Sequence, residues 1–254
     1  MADAAQPLDL TVRLLVFGEQ HDQFDQQRQV ADQVRALAER QRLAAVVLEM
    51  ADAPHSTRGL PHDAEPAQVR DALHWRNWPW EAYAAVVMNA VRAGVPVWGG
   101  NLPRADMRAA MADAQLDALV DAATFERLAE AVRNGHCNLL PASQLPGMVR
   151  IQLARDRSMA RVAAAAVEAA GSNQTVLLLA GAQHAARDRG VPLHLLADKR
   201  WSADAIHVVL FGRAPDELPA DEWREALLTP QPDYCDQLRQ RAAAPGAASG
   251  NAGR

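Results

Sequence analysis

Four short apolar runs in this chain stop abruptly on glycine or a polar residue, and that repeated ending restricts the fold more than any other feature. Residues 11–17 run into Gly18-Glu19-Gln20-His21, residues 44–48 into Glu49-Met50, residues 95–98 into Gly99-Gly100-Asn101, and residues 175–180 into Gly181-Ala182-Gln183-His184. Each run is too short for an ordinary helix and is aliphatic or β-branched, so each reads as a buried strand. Residues 206–211 form a fifth such run. Between the strands the spacing changes to that of helices: Val30, Val34, Leu37 and Ala38 mark one face of residues 22–42, residues 80–92 reach a stop at Gly94, and residues 145–170 end at Gly171. Strands alternating with helices predict an α/β fold with a mainly parallel central sheet flanked by helices, because parallel neighbours need crossover connections.

The remaining segments place the boundaries. Residues 53–65 read as a surface loop, and the alanine-rich stretch 103–132, reaching Asn134-Gly135, reads as part of a helical insertion over about residues 103–150. One domain over residues 11–230 is expected, with an N-terminal tail at 1–10. A C-terminal tail at 231–254, rich in Ala, Gly, Ser and Gln, is expected to be partly disordered because it has little apolar surface to bury.

Several function classes drop out on composition. A net charge of −5 without a basic cluster gives no electrostatic footprint for nucleic acid. No apolar stretch approaches the roughly 20 residues that span a bilayer, so a soluble chain is expected: cytoplasmic, or periplasmic or membrane-anchored if an export signal has been removed. Cys137 and Cys235 lie in unrelated contexts, and neither a disulfide framework nor a zinc site is expected from them. No serine stands in Gly-x-Ser-x-Gly, and neither Gly-x-Gly-x-x-Gly nor a Walker loop is present.

What remains is the chemistry at the strand ends. In open α/β sheets ligands bind outside the carboxyl ends of the strands, so a parallel sheet would gather Glu19, His21, Glu49, Asn101 and His184 into one crevice. Glycine beside these residues would let the backbone approach a ligand closely. Glu19, His21, Glu49 and His184 are the candidate catalytic residues: the imidazoles could act as general acid or base with the carboxylates tuning them, or His21 and His184 could ligate a divalent metal. Gln152 and Asp156 share a helix face with Met159 and could extend the pocket. Trp80 and Tyr83, within an aromatic cluster that starts at His74-Trp75, could wall it or pack beneath a loop.

Taken together and in order, these motifs resemble the ChaN-like family of haem-binding uptake proteins, within the superfamily that includes Tiki and TraB proteins and the erythromycin esterases. The resemblance spans residues 13–196 and rests on Val16-Phe17-Gly18-Glu19-Gln20-His21-Asp22, Leu48-Glu49-Met50, Trp80 with Tyr83, Asn101-Leu102-Pro103-Arg104, Gln152 with Arg155-Asp156 and Met159, and Leu179-Ala180-Gly181-Ala182-Gln183-His184. It implies an α/β domain with an inserted helical portion, haem as cofactor or cargo in iron uptake or trafficking, and a homodimer, since some members pair haems between two subunits. Tyr83 or a crevice histidine would then approach the iron, with Arg104 near the propionates. Where the family often carries a His-His pair, this chain has Gln26-Gln27. A hydrolase built on the Glu/His crevice is the alternative reading, for a small-molecule ligand other than haem.

Overall fold

The computed structural model describes residues 6–212 and 218–243; the first residues of the expected N-terminal tail, 1–5, and the end of the expected C-terminal tail, 244–254, lie outside the described residues. β1 (Leu14–Glu19) leads into α1 (Phe24–Glu39) and β2 (Leu43–Asp52), and α2 (Pro66–Ala72) and α3 (Trp80–Arg92) lead into β3 (Val97–Asn101). The inserted helical portion follows, with α4 (Met107–Ala112) and α5 (Ala122–Gly135) preceding the long α6 (Leu145–Ala169). The chain then runs through β4 (Thr175–Gly181), α7 (Ala182–Ala185), α8 (Val191–Leu196), β5 (Ile206–Phe211), β6 (Glu222–Arg224) and α9 (Tyr234–Ala243).

The strands form one sheet in the order β3-β2-β4-β1-β5-β6, and every paired neighbour is parallel. Alternate side chains enter opposite cores. Leu15, Phe17, Leu177 and Leu179 pack with Val30 and Val34 of α1 and Val86 and Val87 of α3. Leu14, Val16, Leu178 and Ala180 pack on the other face with Met159, Ala163 and Val167 of α6 and Val191 of α8. Both faces being covered is the reason these strands read as continuous apolar runs and not as apolar-polar alternation.

The topology decides where the polar ends meet. The chain builds outward from β1 to β2 and β3, then returns to insert β4 between β2 and β1. Glu19 pairs with Gly181 across β1 and β4, and Leu48 with Leu179 across β2 and β4, so Glu19, Glu49 and Gly181 lie within about one residue of one another at the same end of the sheet. Two of the glycines serve packing between elements and not the approach of a ligand. A Cβ on Gly18 would lie 2.2 Å from Leu210 Cδ2, and one on Gly99 would lie 2.3 Å from the Asp52 carbonyl oxygen.

Three parts of the chain refine or depart from expectation. α2 has one buried residue, Val69, and so no apolar stripe; its start is marked instead by Pro66 and by the Gln68 side chain accepting from Glu65 N–H at 2.9 Å. The helical stretch expected over 103–132 consists of α4, 3-10 turns and α5. The cysteines are not independent: Cys137, just past α5, and Cys235 in α9 form a disulfide across a sequence separation of 98, their Cα atoms 5.4 Å apart.

That disulfide could not be read from local context, because a strap of backbone delivers Cys235 to its partner. Gln29 Nε2 donates to Glu225 O at 3.0 Å, Leu227 N–H to Asp25 Oδ2 at 2.9 Å, and Thr229 N–H to Gln23 Oε1 at 2.8 Å, laying the strap along α1. α9 is therefore attached by a covalent tether at Cys235, at the end of a strap held by polar contacts to α1. Among the described residues no helix is long and apolar enough to cross a membrane.

Candidate functional site

Glu19 is the last residue of β1 and its carboxylate is buried beneath the turn that follows. Its oxygens are fully engaged: Oε1 accepts from Tyr83 Oη–H at 2.6 Å and from His21 Nδ1–H at 2.9 Å, and Oε2 accepts from Gln27 Nε2. Burial raises its pKa, and the bonds from His21, Tyr83 and Gln27 offset only part of that. Tyr83 is fully buried, and its phenol pKa is raised by burial and by the adjacent Glu19 charge.

His21 is the open member of the group, with its side chain 32% exposed. One face of the ring lies against Trp78, centroids 4.5 Å apart, and Nε2 stands 3.8 Å from Glu49 Oε2. Burial lowers the affinity of the ring for a proton, but the bond to Glu19 and the charges of Glu49 and Glu19 outweigh it, so its pKa is raised.

Glu49, within β2, is the centre of the constellation. Oε1 accepts from Arg155 Nη2 at 2.5 Å, and Oε2 accepts from the Gly181 backbone N–H at 2.6 Å. His184 Nε2 lies 3.7 Å from Oε1. Burial opposes ionisation here, yet the charges of His184, Arg155 and His21 and the Gly181 bond hold the carboxyl down to about 2. His184, in the single turn of α7, gives Nδ1 to Asp156 Oδ1 at 2.6 Å, and both side chains are buried.

Arg155 connects the other side. Its Nε donates to Asn101 Oδ1 at 3.0 Å and its Nη1 to Gln152 Oε1 at 3.1 Å, while Asn101 Nδ2 donates to Glu49 O at 2.9 Å. Glu19, His21, Glu49, Asn101, His184, Asp156, Gln152 and Tyr83 thus belong to one connected network. Trp80 does not: it packs edge-on against Trp75 at 5.2 Å with Arg70 above its ring at 5.9 Å. Arg104 lies farther out, lining a cleft that opens from Glu49, Asn101 and Arg155.

Sequence reasoning left four participants without a role. Arg155 stood beside Asp156 in the motif, yet its pairing with Glu49 needs α6 laid under β2 and β3. Gln27 was noted only for what it replaces; its position in the second turn of α1 points it back at Glu19. The others are His55 and His74, whose rings stack 3.8 Å apart at the cleft although no local pattern connects them.

Two imidazoles, each oriented through Nδ1 by a buried carboxylate, flank a third carboxylate. Such a set can take up and return protons. Among the described residues no group of three or more His, Cys, Asp or Glu side chains is placed to hold a metal ion, so the His21/His184 metal pair is not carried forward.

The family model described as haem-binding uptake, Tiki superfamily, ChaN matches residues 10–195. Among solved structures the chain is similar to ChaN of Campylobacter jejuni, described for its cofacial haem binding, at TM-score 0.67 and 24% identity over 83% of this chain and 86% of that one; the likeness shows a common fold. A mutant erythromycin esterase, EreC, in its open conformation resembles it at TM-score 0.46 and 16% identity over 79% of this chain and 70% of that one, too slight to argue from. No curated protein matches the chain.

Proposed function

Because the chain belongs to the ChaN family of haem-binding uptake proteins in the Tiki superfamily, we propose that it binds haem in the service of iron or haem uptake or trafficking. The observation that carries this reading is the cleft of about 650 Å³ beside the polar network, within the roughly 300–1,000 Å³ usual for small-molecule sites. Its lining suits the group. Met50, Met107 and Trp78 offer apolar and aromatic surface, and Arg76 and Arg104 offer cations for propionates. Bound haem supplies an iron centre whose behaviour follows from its axial ligand and the polarity around it.

The chain's own part is to wall and orient. Glu49 and Asn101, held by Arg155, form the polar floor, and Trp78 shields one face of His21. A homodimer that pairs two such clefts is part of the proposal. The Cys137–Cys235 disulfide favours an oxidising compartment, and so a periplasmic location over a cytoplasmic one. Titration of the full chain with haemin, followed by the Soret band and by sedimentation, tests the reading. A saturable shift with a defined stoichiometry supports it, and the absence of saturation overturns it.

One observation favours a second reading, an acid/base hydrolase. His21 and His184 each hand Nδ1 to a buried carboxylate, the arrangement that fixes the tautomer of a general base. Exposed His21 would take the proton of an attacking water, with Glu19 holding the ring. A panel of esters and peptides with the wild type, His21→Ala and His184→Ala checks this. Turnover unchanged by either substitution, or no turnover at all, removes it.

A further inference from the structure

A groove of about 640 Å³ lies on the α6 side of the sheet, beside the edge strand β3, and its size is within the range usual for small-molecule sites. No residue lines both this groove and the strand-end cleft. One wall is formed by Val162, Ala165, Ala166 and Ala169, whose spacing puts them on one face of α6. The facing wall includes Trp98 of β3, half-buried and packed against the core. The alanines create the depth, since longer side chains at 165 and 169 would fill the space that their methyl groups leave open.

The groove is elongated. α6 runs against the strands: Asp156 meets His184 at their carboxyl ends, whereas Val167 O and Gly171 O accept from the Arg13 guanidinium at their amino ends. From Arg161 to Ala169 the helix advances ~12 Å. The cations gather towards the Trp98 end. Arg161 begins the lining stretch of α6, and Arg58 follows Thr57, whose N–H donates to Val97 O at 2.9 Å. Both arginines are exposed, and among the described residues neither guanidinium has a hydrogen bond or a carboxylate partner. Among the described residues no Asp or Glu lines the groove, so it is cationic within a chain of net charge −5.

The backbone rules out an added strand here. Ser56 bridges Trp98 in antiparallel fashion, Gly99 N–H donates to His55 O at 2.8 Å, and Val97 O is taken by Thr57. With these groups of the β3 edge already paired, a peptide cannot extend the sheet at this point. Recognition is left to shape and charge.

We propose that this groove binds a free medium-chain fatty acid, its alkyl chain laid along the alanines of α6 and its carboxylate held by Arg58 and Arg161 beside Trp98. Each methylene withdrawn from water adds affinity, and the guanidinium–carboxylate pairing fixes which end of the chain enters where.

The experiment is calorimetric titration of the full chain with sodium dodecanoate below its micelle threshold, using wild type, Arg58→Gln, Arg161→Gln and Ala165→Trp. Hexanoate and dodecyltrimethylammonium serve as the short-tailed and oppositely charged probes, and circular dichroism is the folding control. The expected result is saturable dodecanoate binding by wild type that falls roughly tenfold in each arginine variant, the scale of one lost charge-assisted hydrogen bond. A folded Ala165→Trp loses it, and Ala169→Leu serves the same purpose if Ala165→Trp does not fold. Hexanoate binds more weakly, the cationic probe does not saturate, and haemin does not displace dodecanoate. No saturable binding by wild type, or binding indifferent to both arginine substitutions or to the filled groove, overturns the proposal. So does displacement by haemin, which would put the alkyl chain in the strand-end cleft.

Discussion

His184 Nδ1 lies 2.6 Å from Asp156 Oδ1, joining the turn that follows β4 to the middle of α6 inside the protein. The pair fixes the direction of the His184 ring and so the approach of its Nε2 to Glu49. Replacing Asp156 by Ala leaves a buried imidazole N–H without an acceptor, a loss of about 1–3 kcal/mol. Urea unfolding of Asp156→Ala is expected to show a lower midpoint with an unchanged slope; an unchanged midpoint would mean that the bond contributes nothing to stability.

Glu49 links the site to acid stability. Burial raises its pKa, but His184, Arg155, His21 and the Gly181 N–H together depress it from 4.5 to about 2. A carboxyl whose folded pKa is depressed adds stability above its unfolded pKa and loses it as pH falls through the folded value. Wild type should therefore lose stability between about pH 4.5 and pH 2 more steeply than Glu49→Gln. Equal slopes in acid unfolding would refute the depression.

His21 acts at higher pH. Burial works against its imidazolium, yet the Glu19 bond and the Glu49 and Glu19 charges raise its pKa above 6.5. Its contribution to stability is complete below pH 6.5 and fades as pH rises through the raised folded value. Proton NMR titration should place His21 above the usual histidine range in wild type and lower in Glu19→Gln. A His21 titration indifferent to that substitution would sever the link to Glu19.

Gly181 has little room on the side that faces the network. A Cβ there would stand 2.9 Å from His21 Nε2 and 3.5 Å from Glu49 Oε2. Gly181→Ala should displace the His21 ring and cost about 1–3 kcal/mol. The checks are thermal unfolding and the His21 resonance; a wild-type resonance would show that the ring tolerates the methyl group.

The disulfide should contribute substantially to stability, because it closes a long loop. For a separation of 98 residues, the chain-entropy argument gives up to about 4–5 kcal/mol. Reduction, or Cys137→Ser, is expected to lower the urea midpoint and to speed hydrogen exchange across α9 and the strap from Glu225 to Thr229. Unaltered exchange in that segment would show that the polar contacts with α1 hold it unaided.

Apolar runs ending in glycine and polar residues were enough, by themselves, to determine the α/β class, the parallel sheet and the edge at which the chemistry gathers, since periodicity and strand endings are local properties. Tertiary structure decided the rest. Inserting β4 between β2 and β1 set Glu49 under both histidines, the crossing of α6 brought Arg155 to Glu49, and the strap along α1 carried Cys235 to Cys137. None of these has a sequence signature, because each depends on the distance between residues whose order along the chain says nothing of their separation in space. His55 and His74 are the plainest case: one lies on the loop zipped to β3 and the other just past α2, and only the packed fold stacks their rings.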